Sequence, residues 1–146
     1  MKWRELARDS TGRTVVLVFE QGDHVMPVLK QWCAGEQVTA AHFTAIGAFE
    51  EVTVAWFDWE AKEYREIQIK EQVEVITLAG DVALKDDAPA VHAHIVVGRW
   101  DATTRGGHFV DGVVRPTLEL VLQETPAHLR KRHDAESGLA LIAPTE

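Results

Sequence analysis

Hydrophobic residues in the first third of the chain follow a strand pattern and then a helical one. Residues Thr14–Glu20 are rich in β-branched side chains and end before Gly22, which predicts a strand. Asp23 is the predicted N-cap of the next segment, because its carboxylate can accept hydrogen bonds from a first helical turn. Apolar residues then recur at intervals of three and four up to Ala34, so we expect a helix with one buried face. Gly35 is the predicted helix stop.

From residue 40 onward the pattern is that of β-strands. We expect two strands bent around GAF in AHFTAIGAFEEVTVAWFDWE, then strands in YREIQIK and in VEVITLAGDVAL, the last with a bend or bulge at Gly80–Asp81. A hairpin is predicted for AVHAHIVVG and GGHFVDGVVR, and TLELVLQE alternates with its leucines facing inward. A short turn or helix, TPAHLRKRHDAESG, precedes the apolar stretch LALI. The chain therefore predicts a single α+β domain over 1–146, with a mainly antiparallel β-sheet packed with one main helix and a core of about residues 13–142.

Composition narrows the class of protein. The chain has 146 residues, of which 46% are hydrophobic and 26% charged, as in ordinary folded domains. Its net charge of −8 disfavours nucleic-acid binding, because such proteins need cations against phosphates. The dense basic cluster at 129–133 is interpreted as a solvated surface turn.

The expected compartment is the cytoplasm. The single cysteine, Cys33, cannot form an internal disulfide, which fits a reducing environment. The N-terminus MKWRELARDS has no apolar core, so no signal peptide is predicted. No apolar run approaches the roughly 20 residues that span a membrane, so no membrane partner is expected.

Three of the seven histidines lie in the predicted hairpin. Alternation along VHAHIVVG places His92 and His94 on the face away from the core. A turn centred on Asp101 would pair His94 with His108 at about 5 Å between Cβ atoms, with His92 diagonal at about 7–8 Å. Three neutral ring nitrogens at about 2.0–2.1 Å bind zinc, or another divalent transition metal, and leave a fourth position for water or substrate. The hairpin therefore predicts an open three-histidine metal site.

The metal prediction depends on register. A slip of one residue, or a bulge at Gly106–Gly107, would move His108 to the other face. The alternative interpretation is three unrelated histidines on a half-exposed sheet face. The two glycines are expected either to adopt dihedrals closed to other residues or to allow another group to approach closely.

Four segments, EVITLAGDVAL, VHAHIVVG, GGHFVDGVV and TLELVLQE, together resemble the PPC domain, the plant and prokaryote conserved domain. The resemblance extends from about Arg13 to Ile142. It implies an α+β fold, a homotrimer, and a histidine-rich hairpin whose histidines match His92, His94 and His108. It also implies a possible link to DNA, because stand-alone prokaryotic members have often been labelled as predicted DNA-binding proteins. The plant members' AT-hook, an RGRP-like basic motif, does not occur in this chain.

Three more residues are candidates for supporting a metal or a ligand. Glu119 could orient an imidazole or act as a base on metal-bound water, and the alternative is a solvated or interface glutamate. Arg99 and Arg105 flank the hairpin turn and could attract a small anionic ligand, although turns often carry arginine for solubility. Aromatic residues on both faces of VAWFDWE predict a surface that another subunit covers. Trp100, in the hairpin turn, could pack on a neighbouring subunit or flank a ligand pocket.

Three functions follow from these observations. The first is a trimeric metal protein that acts as an enzyme or as a small-ligand sensor. The second is a DNA-associated regulator without an AT-hook, and the third is an assembly module that binds partner proteins. The sequence predicts neither a substrate nor whether the chain is an enzyme, because the resemblance identifies a domain rather than a reaction.

Overall fold

The computed structural model describes residues 1–144, which fold into nine strands and one helix. The last two residues of the predicted domain lie outside this range. The α+β class, with a mainly antiparallel sheet and one helix in a single domain, is confirmed. The elements are β1 (Lys2–Asp9), β2 (Gly12–Glu20), α1 (Val25–Gly35), β3 (Ala40–Asp58), β4 (Glu63–Ile69), β5 (Val73–Lys85), β6 (Ala88–Gly98), β7 (Thr104–Glu124), β8 (Lys131–His133) and β9 (Ala140–Ile142).

Seven strands form one sheet in the order β1-β2-β7-β6-β5-β3-β4. The two long strands β3 and β7 also pair with each other, so β7, β6, β5 and β3 close into a ring. The inward leucines predicted for TLELVLQE are buried, and the residues between them are exposed. Phe49 and Phe109 stack in the core, 5.9 Å apart between ring centroids. The buried face of α1 joins the same apolar cluster as the ring strands, so the helix packs on the core of the ring.

The N-terminus of α1 is capped from a distant strand, and the predicted cap at Asp23 is wrong. Asp111 of β7 accepts the backbone N–H of Met26 at 3.0 Å, and its other oxygen lies 2.7 Å from Nδ1 of His24. The Asp23 carboxylate accepts the backbone N–H of Glu20 at 2.9 Å instead. A carboxylate near the first turn interacts favourably with the helix dipole, whichever element supplies it. Because this carboxylate comes from β7, the sequence around the helix could not identify the cap.

Two glycines have roles other than those predicted. Gly35 is the last helical residue, and the left-handed conformation that follows the helix belongs to Gln37, with φ of 55°. No bulge occurs at Gly80–Asp81, since pairing with β3 continues there and the register shift of β5 lies at residues 75–77. A Cβ on Gly80 would lie 2.4 Å from the carbonyl oxygen of His92. Gly80 therefore allows close strand packing.

The C-terminal segment forms a small hairpin, not the predicted turn or short helix. Strands β8 and β9 pair with each other, and the backbone N–H of Leu84 on β5 donates to the carbonyl of Leu129 at 2.8 Å. The Lys131 side chain is only 7% exposed. The basic cluster is therefore not simply a solvated turn, because Lys131 reaches a carboxylate on β5. Within residues 1–144, no helix is long and apolar enough to cross a membrane.

Candidate metal centre

The pairing predicted for the β6–β7 hairpin is present. His94 lies directly opposite His108, and residues 99–103 form the turn. Ala93 and Ile95 point into the core, so His92 and His94 point to the other face. The three imidazoles each offer a nitrogen, and these atoms all lie within 4.8 Å of one another. The register therefore gathers the three predicted metal ligands at one place.

The chemical state of the imidazoles suits a metal ion. Nδ1 of His108 is buried and has no hydrogen-bond partner among the described residues, which is costly unless another group meets it. Burial, together with the neighbouring imidazoles, lowers the pKa of His108 to about 4. Burial and the charge of His92 also lower the pKa of His94. Both rings are therefore neutral near pH 7 and keep a lone pair for a metal.

A carboxylate supports the first histidine from the neighbouring strand. Asp81 of β5 lies opposite His92, and its Oδ2 is 3.3 Å from Nδ1 of His92. Because a carboxylate only accepts, this contact places the proton on Nδ1 and leaves Nε2 free to bind a metal. The ammonium of Lys131 lies 2.8 Å from the other oxygen of Asp81. Burial raises the pKa of Asp81, but its contacts with His92 and Lys131 outweigh this and leave the pKa below its ordinary value.

A cavity of about 530 Å³ opens beside His92 and His94, and we call it the histidine cavity. The ring of Tyr64, from β4, lines it and stacks on His108 with 4.4 Å between ring centroids. The C-terminal hairpin supplies another part of the lining through residues 139–142. The site therefore has a bounded space next to the donors, in which a ligand could reach a metal.

The glycines of the hairpin act through close approach, which was one of the two predicted roles. A Cβ on Gly106 would lie 2.6 Å from the carbonyl oxygen of Ile95, and one on Gly107 would lie 2.7 Å from that of Ala55. Neither glycine has a positive φ, so unusual dihedrals are not their role. The absent side chains let β7 lie close to β6 and β3 on either side of His108.

The other predicted site residues lie elsewhere. Glu119 is an exposed residue of β7 that pairs with Val18 and Ile46 and does not line the histidine cavity. Arg99 and Arg105 line a separate space of about 650 Å³, which we call the arginine cavity. Among the described residues, none lines both cavities. The structure therefore brings together the three histidines and none of these three residues.

Sequence reasoning missed Asp81, Lys131 and Tyr64 as members of the site. A signal for Asp81 was present, because it is the charged residue within the apolar run LAGDVAL of β5. The residues Asp86–Asp87, with φ of 51° and 60°, form a two-residue turn between β5 and β6, and this turn pairs Asp81 with His92. No sequence pattern near the histidines predicts Lys131, because this residue belongs to the separate C-terminal hairpin.

Comparisons with known proteins agree with this fold. The family model of the Plants and Prokaryotes Conserved (PCC) domain matches residues 7–126. No curated protein matches the sequence significantly. A plant- and prokaryote-conserved (PPC) protein from Pyrococcus horikoshii is 33% identical, with a TM-score of 0.86 over 94% of this chain and 95% of that chain.

Two further solved structures are similar over nearly the whole length. A metal-containing protein from Archaeoglobus fulgidus is 28% identical, with a TM-score of 0.82 over 91% of this chain and 94% of that one. A candidate DNA-binding protein from Ralstonia eutropha is 25% identical, with a TM-score of 0.82 over 90% of this chain and 91% of that one. From the family match over residues 7–126, the chain belongs to the Plants and Prokaryotes Conserved domain family, as its sequence indicated.

Proposed function

We propose that the chain is a metal-binding protein in which His92, His94 and His108 hold one zinc ion, or another divalent transition metal. The observation that carries the proposal is the convergence of three imidazole nitrogens to within 4.8 Å of one another. Three neutral imidazoles leave a fourth position open on zinc. An open zinc site polarises a carbonyl group or activates water, and it also binds small ligands. The description of the Archaeoglobus fulgidus relative as metal-containing supports the proposal.

Asp81 and Lys131 complete this site as positioning residues. The carboxylate of Asp81 fixes the tautomer and the ring orientation of His92, and Lys131 holds that carboxylate in place. Partners of this kind are a regular part of histidine metal sites, because they raise the basicity of the ligand. The unpartnered Nδ1 of His108 adds a group that a bound metal could satisfy.

Metal content tests the proposal. Untagged protein is purified and its zinc is measured beside a variant in which His92, His94 and His108 are all alanine. His42→Ala is the matched control, because His42 is an exposed histidine of β3 outside the histidine cavity. We expect about one zinc per chain in the wild type and the control, and none in the triple variant. Wild-type protein that holds no metal after zinc is supplied and excess is washed away would overturn the proposal.

We also propose that the protein is a homotrimer. Trp100 in the hairpin turn is 86% exposed, and Trp56 and Trp59 of the β3–β4 region are exposed by about half. Large aromatic surfaces of this kind are typical of protein interfaces. Sedimentation equilibrium should give three times the chain mass of 16.3 kDa. A mass of one chain at micromolar concentration would contradict the trimer.

A second candidate function is association with DNA. It is favoured by the description of the Ralstonia eutropha relative as a candidate DNA-binding protein. The net charge of −8 argues against DNA binding, because phosphate binding needs a basic surface. Fluorescence anisotropy with a labelled duplex tests this function. Affinity that falls steeply with salt would support DNA binding, and no binding at low salt would remove it.

A further inference from the structure

We infer that the ligand of the histidine cavity is a small carboxylate with a short apolar tail, held between the metal and the C-terminal hairpin. The inference rests on the proposed metal site and adds the class of molecule that completes it. The cavity volume of about 530 Å³ lies within the range of small-molecule sites. A space of this size suits a compact molecule rather than a polymer.

The charges around the cavity favour an anion. Among its described lining residues, the charged groups are the amines of Lys85 and Lys131 and the carboxylate of Asp81. That carboxylate is already engaged, 2.8 Å from the ammonium of Lys131 and 3.3 Å from Nδ1 of His92. Three neutral imidazoles do not offset the charge of a divalent ion. A carboxylate can bind the open metal position and offset part of that charge, with Lys85 as an additional cation at the rim.

The hairpin makes one side of the cavity apolar. Leu139, Ala140, Leu141 and Ile142 all line it. Leu141 is 47% exposed and Ile142 is 40% exposed, so their apolar surface is available to a ligand. Removing such surface from water is favourable in proportion to its area. Each methylene that a ligand buries here should therefore tighten its binding about fourfold.

The position of this wall is fixed by contacts to the rest of the site. Two contacts anchor the C-terminal hairpin on β5. The backbone N–H of Leu84 donates a hydrogen bond to the carbonyl of Leu129, and Lys131 forms an ion pair with Asp81. One end of the hairpin thus contacts the residue that supports His92, while its other strand faces the cavity. The hairpin lies beyond residues 7–126, the part that matches the family model. The side chains of this hairpin, rather than the residues that match the family model, would therefore set the apolar preference of the cavity.

Calorimetric titration of the zinc-loaded protein tests the inference. The probes are acetate, butanoate and hexanoate, with butanamide and butylammonium as neutral and cationic controls. Butanoate, with two more methylenes than acetate, should bind more than about tenfold tighter. The two controls should bind more weakly than butanoate. Leu141→Ser should reduce the increase in affinity from acetate to hexanoate, while leaving acetate binding and zinc content unchanged. Ile46→Ser changes another exposed apolar residue, which lies outside the cavity, and should have no effect.

Zinc is measured in every sample, so that two kinds of failure are separated. Protein without zinc would overturn the metal site and the inference that rests on it. With one zinc per chain, equal affinity for acetate and butanoate would overturn the apolar tail alone. Butanamide or butylammonium binding as tightly as butanoate would overturn the preference for an anion. The chain-length series on the wild type decides these points even if Leu141→Ser does not fold.

Discussion

The histidine cavity and the arginine cavity lie on the same small domain and differ little in size, at about 530 and 650 Å³. The larger one carries more cationic side chains, from Lys70, Arg99 and Arg105, but no described histidine or cysteine lines it. The smaller one is lined by His92 and His94, whose nitrogens converge with a nitrogen of His108. Convergent donor atoms, rather than volume or positive charge, therefore distinguish the candidate site.

The two cavities also differ in how their polar groups are satisfied. Nε of Arg99 donates to Glu71 at 2.6 Å, and another of its nitrogens donates to the hydroxyl of Thr103. That arginine is thus already engaged in holding the hairpin turn. Nδ1 of His108, in contrast, is buried without a partner among residues 1–144. A polar group that the fold leaves unsatisfied is the better indication of a missing ligand.

The largest expected effect comes from removing one imidazole. His108→Ala should weaken zinc binding about 100-fold or more, because one of three protein ligands is lost. The corresponding change in the arginine cavity, Arg105→Ala, should leave the affinity unchanged. Competition with a chromophoric chelator measures both. Equal zinc affinity in the two variants would remove the distinction between the cavities.

A smaller effect is expected from removing the carboxylate of Asp81, which contacts Nδ1 of His92. Asp81→Ala should weaken zinc binding about 10–100-fold, as loss of a partner to a ligating histidine typically does. Asp81→Asn keeps an acceptor for the Nδ1 proton and should lose less. Chelator competition with both variants separates positioning from general damage to the fold. If the two variants lose the same affinity, Asp81 does not act by accepting that proton.

The metal-free protein should lose stability in mild acid. The pKa of His108 is about 4 in the folded chain, below its ordinary value of 6.5. Between these values the unfolded chain binds more protons, so stability falls as pH falls. We expect a loss of about 1–2 kcal/mol between pH 6.5 and 4.5, since solvent partly screens the open site.

Urea unfolding at several pH values measures this loss. His108→Asn should flatten the dependence, and His42→Asn should not. The pKa of Asp81 is lowered from its ordinary value of 3.8, so the stability that Asp81 contributes is lost only below about that pH. Asp81 therefore does not affect the measurement between pH 6.5 and 4.5. A dependence that is as steep in His108→Asn as in the wild type would show that another group causes it.

The smallest effect is expected in the arginine cavity. Glu71→Gln weakens the ion pair with Arg99, whose two side chains are 25% and 35% exposed. Partly exposed pairs contribute little, so the free energy of unfolding should fall by less than about 1 kcal/mol. Zinc affinity should not change. Chemical denaturation and chelator competition on the same variant check both statements, and a loss of zinc would mean that the two cavities are coupled.

The parts of the site that the sequence predicted are those that local periodicity determines. Alternation along β6 placed His92 and His94 on one face, and the length of the turn around Asp101 set His108 opposite His94. Both depend on residues within one hairpin. The strand β2 and the helix were likewise predicted from their own patterns, although the ends of the helix were wrong. The two strands predicted around GAF are one strand, β3, which has register shifts between Gly47 and Glu51 and no break.

The missing parts depend on contacts between distant segments. The cap of α1 comes from Asp111, far along the chain. Lys131 contacts Asp81 only because the C-terminal hairpin packs against β5. No sequence pattern within the hairpin predicts this packing. Glu119 alternates correctly along β7, yet β7 is long enough that this residue pairs with β2 and lies away from the histidines. Periodicity predicts a face of a strand but not a position along it.

Anomalous diffraction at the zinc absorption edge, from crystals of the untagged protein, would locate the metal itself. We expect one peak per chain, about 2.0–2.1 Å from a nitrogen of each of His92, His94 and His108. A fourth ligand from solvent or a small molecule should face the histidine cavity. A zinc peak at any other place, with these imidazoles unliganded, would show that the three histidines are not the metal site.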